Sequence, residues 1–300
     1  MNLPRLLPTL LFALLAVSAR AQTTPARAPD LASNPPPAET KINPALPTIF
    51  IAGDSTAAKG TGERQQGWAV PFADYFDPAK VNIVNRARGG RSSRTFIAEG
   101  LWDGILADLK KDDIVLIQFG HNDGSPVNED ESVPERSRRS RGSIPGLGEE
   151  SREIDNIITK KHEFIHTFGW YMRKMIADTV AKGAHPIVIS LTARNIWKDA
   201  KIERGSGNYS PWAREIATSS NTPFVDLTSL MADKFEAMGA EKTKEIYQQD
   251  STHFNAIGAD LHAAAVVAGL KTLHPSPVAK LLSAKGEAVP SAPASVSGSK

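Results

Sequence analysis

The chain has 300 residues, 41% of them hydrophobic, and a formal net charge of only +2. That length carries one sizeable α/β domain with its own core, and the near-neutral balance gives no global pull toward nucleic acid. There is no cysteine, which excludes disulfides and the thiol on which a bacterial lipid anchor is built.

Taken in chain order, the N-terminus has the form of a signal peptide over residues 1–21. Arg5 supplies a positive charge, residues 6–17 form an apolar run too short to span a bilayer comfortably, and Ala19-Arg20-Ala21 is a small-x-small cleavage pattern. The expected location is therefore secreted or periplasmic. Residues 22–46 are rich in Pro, Ala and Thr, cannot build a core and are expected to be a flexible linker.

The folded domain is expected over residues 47–274. Five apolar runs read as strands: 48–52, 81–84, 114–119, 186–191 and 223–227. They are continuous rather than alternating, as strands covered on both faces are. Helical patterns lie over 68–76, 102–109, 164–182, 211–219, 230–238 and 256–270. Strands alternating with helices give a parallel sheet with helices on both faces. In such sheets chemistry is placed beyond the carboxyl ends of the strands.

Residues 125–161 break the alternation. They are polar and carry Arg136, Arg138, Arg139, Arg141 and Arg152. A loop of that length is expected to be functional or disordered. From residue 275 to 300 the chain is rich in Ser, Ala and Pro and reads as a loose tail. No segment after the N-terminal run is long and apolar enough to cross a membrane.

Four segments offer chemistry. Gly53-Asp54-Ser55-Thr56 follows the first strand. A serine there can stand at a helix N-terminus with its hydroxyl open to a cleft, although Asp and Ser are equally ordinary N-caps. Gly89-Gly90-Arg91-Ser92-Ser93 follows the second strand, where glycine lets backbone approach a ligand and frees an N–H; it reads equally as a plain loop. Gly120-His121-Asn122-Asp123 follows the third. The Asn122 amide can donate to a developing oxyanion, and the same residues favour turns. Asp250-Ser251-Thr252-His253 precedes the last helix. A neutral imidazole there can accept a serine proton while a carboxylate fixes its tautomer; the alternative is a capping Asp and a surface His.

A competing motif is His162-Glu163-Phe164-Ile165-His166, the H-E-x-x-H pattern of zinc proteases, continued to Gly169. A helix would put both histidines on one face. Catalytic zinc needs a third protein ligand, and the expected position holds Met172. The segment therefore reads as a charged helix start, and no metal or cofactor is expected. His121 is expected to help shape the third block, His185 to lie in a turn, and His262 and His274 at a helix surface and end.

In this order, at matching strand ends, the four blocks resemble the SGNH hydrolase superfamily, named for residues that are here Ser55, Gly90, Asn122 and His253. The resemblance spans residues 49–273. Ala52 to Thr56, Gly67-Trp68, Ala87 to Arg94, Phe119 to Asp123, Asp250 to His253 and Ile257-Gly258-Ala259 look like rhamnogalacturonan acetylesterases. Lipase-like members more often have leucine where this chain has Thr56. Fungal acetylesterases carry cysteines that this chain lacks, and the arginine-rich insertion is more like bacterial relatives.

The resemblance implies a three-layer α/β/α fold, a flavodoxin-like five-stranded parallel sheet. It implies Ser55 as nucleophile, His253 as base, Asp250 steadying the imidazolium, and an oxyanion held by the Ser55 and Gly90 N–H groups and the Asn122 amide. The implied partner is an acetylated polysaccharide, rhamnogalacturonan or another pectin, with no nucleic acid and no stable membrane association. Arg86, Arg88, Arg91 and Arg94 crowd the second block. Arg91 and Arg94, with His121, are the expected substrate contacts, since arginine pairs with uronate carboxylates; a solvated basic loop is the other reading. Alternatives are a xylan or oligosaccharide acetylesterase, a lipase or thioesterase, and a non-catalytic glycan-binding module.

Overall fold

The computed structural model describes residues 41–60, 64–204 and 207–293. The expected signal peptide and most of the expected linker lie outside the described residues. The linker's last residues are held in place: Asn43 N donates to Asn82 Oδ1 at 3.0 Å.

In chain order the elements are β1 (Thr48–Gly53), α1 (Ala69–Phe72), β2 (Asn82–Asn85), α2 (Ser93–Ala98), α3 (Leu101–Asp108), β3 (Ile114–Gln118), β4 (Ser151–Asp155), β5 (His162–His166) and α4 (Phe168–Ala181). Then follow β6 (His185–Ile189), β7 (Trp197–Lys198), β8 (Lys201–Ile202), α5 (Tyr209–Ser219), β9 (Phe224–Val225), α6 (Leu227–Met238), α7 (Ala240–Ile246), α8 (Ala256–Lys271) and α9 (Ala284–Ala288). The main sheet has the order β2-β1-β3-β6-β9, and every pair in it is parallel. β4 with β5, and β7 with β8, form separate antiparallel pairs.

The continuous apolar runs have a simple cause. Successive strand side chains point to opposite faces, and both faces are covered. Ile49 and Ile51 of β1, Leu116 of β3 and Ile187 of β6 enter one core with Phe72 of α1, Phe235 of α6 and Val266 of α8. Phe50, Ala52, Val115, Ile117 and Val188 enter the other with Phe96 of α2, Trp102 of α3, Met172 of α4 and Ile216 of α5. This is the expected three-layer α/β/α architecture.

The helix expected over 164–182 begins only at Phe168. Thr167 caps it, its side chain accepting from Trp170 N. The preceding five residues pair with β4 instead. The expected tail also departs from expectation. Val278 and Leu282 are buried in the core that holds α1 and α8, α9 follows them, and Ser283 N donates to Tyr75 O at 3.0 Å. Burying two such side chains stabilises by about 3–6 kcal/mol. Ending the chain after residue 274 is therefore expected to lower the unfolding free energy by about that amount, measured by urea unfolding. A midpoint unchanged by the truncation would show the segment to be a passive wrap.

Among the described residues no helix is long and apolar enough to cross a membrane.

Candidate active site

β1 delivers Ser55 at its carboxyl end, inside a tight turn rather than at the helix N-terminus expected. Asp54 sets that turn: its Oδ1 accepts from Thr56 N at 2.9 Å and Thr56 Oγ1 at 2.8 Å. The chain then bonds to a neighbouring strand of backbone, Trp68 N donating to Thr56 O and Gly67 N to Ala58 O, each at 2.9 Å. Gly67 is required by closeness, since a Cβ there would stand 2.3 Å from the Ala58 carbonyl oxygen.

A buried polar layer supports the turn. Gln118, the polar end of β3, accepts from Trp68 Nε1 at 2.7 Å and donates to Ser190 O at 2.8 Å. Asp54 is fully buried. Burial pushes its carboxyl above the usual range, against the hydrogen bonds from Thr56 and the charges of His253 and Arg141. Asp123 is also buried, and burial pushes it up to about 6 despite hydrogen bonds from Ser93 and Ser143.

The turn before α8 points a second group at Ser55. Ser55 Oγ and His253 Nε2 are 2.8 Å apart, and His253 Nδ1 and Asp250 Oδ2 are 2.7 Å apart. A carboxylate facing Nδ1 keeps the ring proton there and leaves the Nε2 lone pair for the serine O–H. Asp250 Oδ1 accepts from Thr252 N and His253 N, each at 2.7 Å. Partial burial would raise Asp250, but these hydrogen bonds from His253 and Thr252 outweigh it and hold the carboxyl below its usual range. It is thus ionised at neutral pH.

The second and third blocks border the same turn. Gly90 sits at φ 77°, a conformation that glycine adopts without strain. Neither its N–H nor that of Ser55 donates to another described residue. Asn122 Nδ2 donates to Arg91 O at 2.9 Å. That fixes the amide and leaves its second N–H unspent. His121 Nε2 lies 2.9 Å from Thr192 Oγ1. Burial, helped by the charges of Arg194 and His253, pushes its imidazole down to about 3, so it is neutral at ordinary pH.

The insertion, expected to be a functional or disordered loop, is ordered under the second block. Arg141 Nη1 donates to Gly90 O at 3.2 Å, and Ser143 Oγ donates to Asp123 at 3.0 Å. It thereby holds the Gly90 turn from behind, a role that its polar composition did not signal.

Three expectations are corrected. Arg91 and Arg94, expected as substrate contacts, are buried and paired with acids of the protein. Arg91 pairs with Glu99 at 2.9 Å and donates to Gly89 O, and Arg94 is buried against Glu163 at 2.7 Å, donating also to Val127 O and Gly142 O. Arg86 pairs with Asp108. The Arg91 and Arg94 charges are thus spent inside the protein, while the Arg86–Asp108 pair lies at the surface.

The H-E-x-x-H segment is strand β5, so His162 and His166 stand about 13 Å apart along it, and Glu163 is taken by Arg94. That spacing cannot serve one ion. His262 is a core residue rather than a surface one, stacked on Phe254 with its Nδ1 donating to Gly258 O at 2.7 Å. Burial pushes its pKa down to about 4.

A hydroxyl, an imidazole and an ionised carboxylate in a hydrogen-bonded line can perform nucleophilic acyl transfer, given free donors for the oxyanion. A family model described as GDSL-like lipase/acylhydrolase matches residues 51–261. The chain belongs to that family. As a GDSL-family protein it is a carboxylic ester hydrolase.

A rhamnogalacturonan acetylesterase of Emericella nidulans is 33% identical over 217 residues, 72% of this chain and 81% of the relative. A Bacillus subtilis protein named probable rhamnogalacturonan acetylesterase YesY is 30% identical over 231 residues, 75% of this chain and 93% of the relative. The crystal structure of YxiM from Bacillus subtilis has the same fold, with TM-score 0.58 and 26% identity, over 76% of this chain and 56% of that one. The expected likeness to rhamnogalacturonan acetylesterases is thus borne out.

Proposed function

We propose that this GDSL-family hydrolase is a carbohydrate O-acetylesterase acting on acetylated rhamnogalacturonan, with Ser55 as nucleophile. The observation that carries the mechanism is the unbroken line from Ser55 Oγ to His253 to Asp250, at 2.8 and 2.7 Å. Ser55 Oγ attacks the acetyl carbonyl as His253 Nε2 takes its proton, and the imidazolium is balanced by Asp250. The oxyanion is received by the Ser55 and Gly90 N–H groups and by the second N–H of Asn122. His253 then returns the proton to the departing sugar oxygen, leaving an acetyl-enzyme. Water activated by the same imidazole releases acetate.

The substrate class is supported by the two relatives named for rhamnogalacturonan. Export belongs to this reading, because residues 1–21 have the composition of a signal peptide and a cell-wall polymer is met outside the cell.

The test is acetate release from acetylated rhamnogalacturonan, acetylated xylan and long-chain esters side by side. The first is expected to give the highest kcat/KM. Faster release from xylan would overturn the substrate and leave the esterase mechanism standing, whereas a preference for long-chain esters would make the protein a lipase.

A further inference from the structure

Arg86, Arg91 and Arg94 are paired with Asp108, Glu99 and Glu163, whereas another guanidinium at the same sheet edge, that of Arg194, has no acid partner among the described residues. Arg194 follows β6, and its backbone is clamped beside the proposed catalytic turn. Tyr247 Oη donates to Ala193 O at 2.6 Å, and Asn195 N donates to Ser251 O at 2.8 Å, between Asp250 and His253. On its other side Thr192 meets His121.

The Arg194 side chain is half-buried. Its Nε is shut off from solvent and has no hydrogen-bond partner, and no carboxylate pairs with it among the described residues. The Asp250 carboxylate, carried on the same turn as Ser251, is committed on both oxygens to His253 and Thr252. A partly desolvated, unpaired guanidinium is costly to keep unless something else supplies its acceptors. The groups that match its planar fork best are carboxylates.

We propose that Arg194 is a specificity-determining residue that receives a uronate carboxylate of the substrate, next to the sugar whose acetyl group meets Ser55. This rests on the pectic reading above and deepens it. Arg194 takes no part in the bond-making steps; it places the chain.

The test compares an acetylated rhamnogalacturonan oligosaccharide bearing free carboxylates with the same oligosaccharide after methyl esterification of those carboxylates. In the native protein kcat/KM is expected to be tenfold or more higher for the free acid, with the difference in KM, and 0.5 M salt should shrink it by screening. In Arg194→Gln the ratio should fall toward one, and Arg194→Lys should restore part of it. Circular dichroism of both variants checks folding. A ratio that stays tenfold in a folded Arg194→Gln would overturn the Arg194 assignment alone. A native protein releasing no acetate from either oligosaccharide would overturn the assignment together with the pectic reading beneath it.

Discussion

Ser55→Ala is expected to lower kcat for a small acetyl ester by at least roughly 10⁴-fold without unfolding the protein. The size follows from what the hydroxyl does. Without it there is no acetyl-enzyme, and the remaining groups can only assist water. The fold should survive because, among the described residues, the Ser55 hydroxyl makes one hydrogen bond, to His253 Nε2. The turn itself is built by Asp54, Thr56 and Trp68, and His253 stays anchored by Asp250. Purified Ser55→Ala should therefore show the native thermal midpoint and no burst of product. A folded variant retaining most of its turnover would remove Ser55 as the nucleophile.

The parts of this molecule that were legible in the sequence are those in which local pattern and global packing agree. β1 and β3 are apolar on both faces because helices cover both, so they read as unbroken runs. The block residues sit where such strands end, and the three-residue spacing of Asp250 and His253 closes one turn. Less visible was anything decided by a distant partner. Residues 162–166 carry a helix-like pattern, but β4 claims them, with Ile165 buried and Phe164 exposed as strand alternation requires. Thr167, an ordinary cap residue, was the available signal for where α4 begins.

Charge behaves the same way. Arginines around Gly90 look like a docking surface until the acids are placed, and Glu163 reaches Arg94 from 69 positions away. Arg194 has no motif around it, so nothing in the sequence separates it from the others. Two faint signals were present. His262 shares its helix face with Ala259, Val266 and Leu270, which marks a core position. Val278 and Leu282 are apolar residues four apart in a stretch rich in Ser, Ala and Pro, and both are buried.

The second large effect concerns the carboxylate. Asp250→Asn is expected to cost roughly 10³–10⁴ in kcat, and to be worse than Asp250→Ala. The reason lies in how the two oxygens are used. Oδ1 accepts from two backbone donors, Thr252 N and His253 N, while Oδ2 faces His253 Nδ1. An asparagine at this position must keep its carbonyl oxygen on the two N–H groups, because an amide nitrogen there would meet donors on both sides. Its NH₂ is then forced toward His253 Nδ1. The imidazole must accept at Nδ1 and carry its proton on Nε2, where it confronts the Ser55 hydroxyl as a donor and cannot take the serine proton. Alanine leaves Nδ1 to water, so the productive tautomer remains accessible. KM should change little in either variant, since neither substitution alters the Ser55 and Gly90 turns. An Asp250→Asn protein more active than Asp250→Ala would mean that Asp250 acts through its charge alone, and that orientation of the imidazole is set elsewhere.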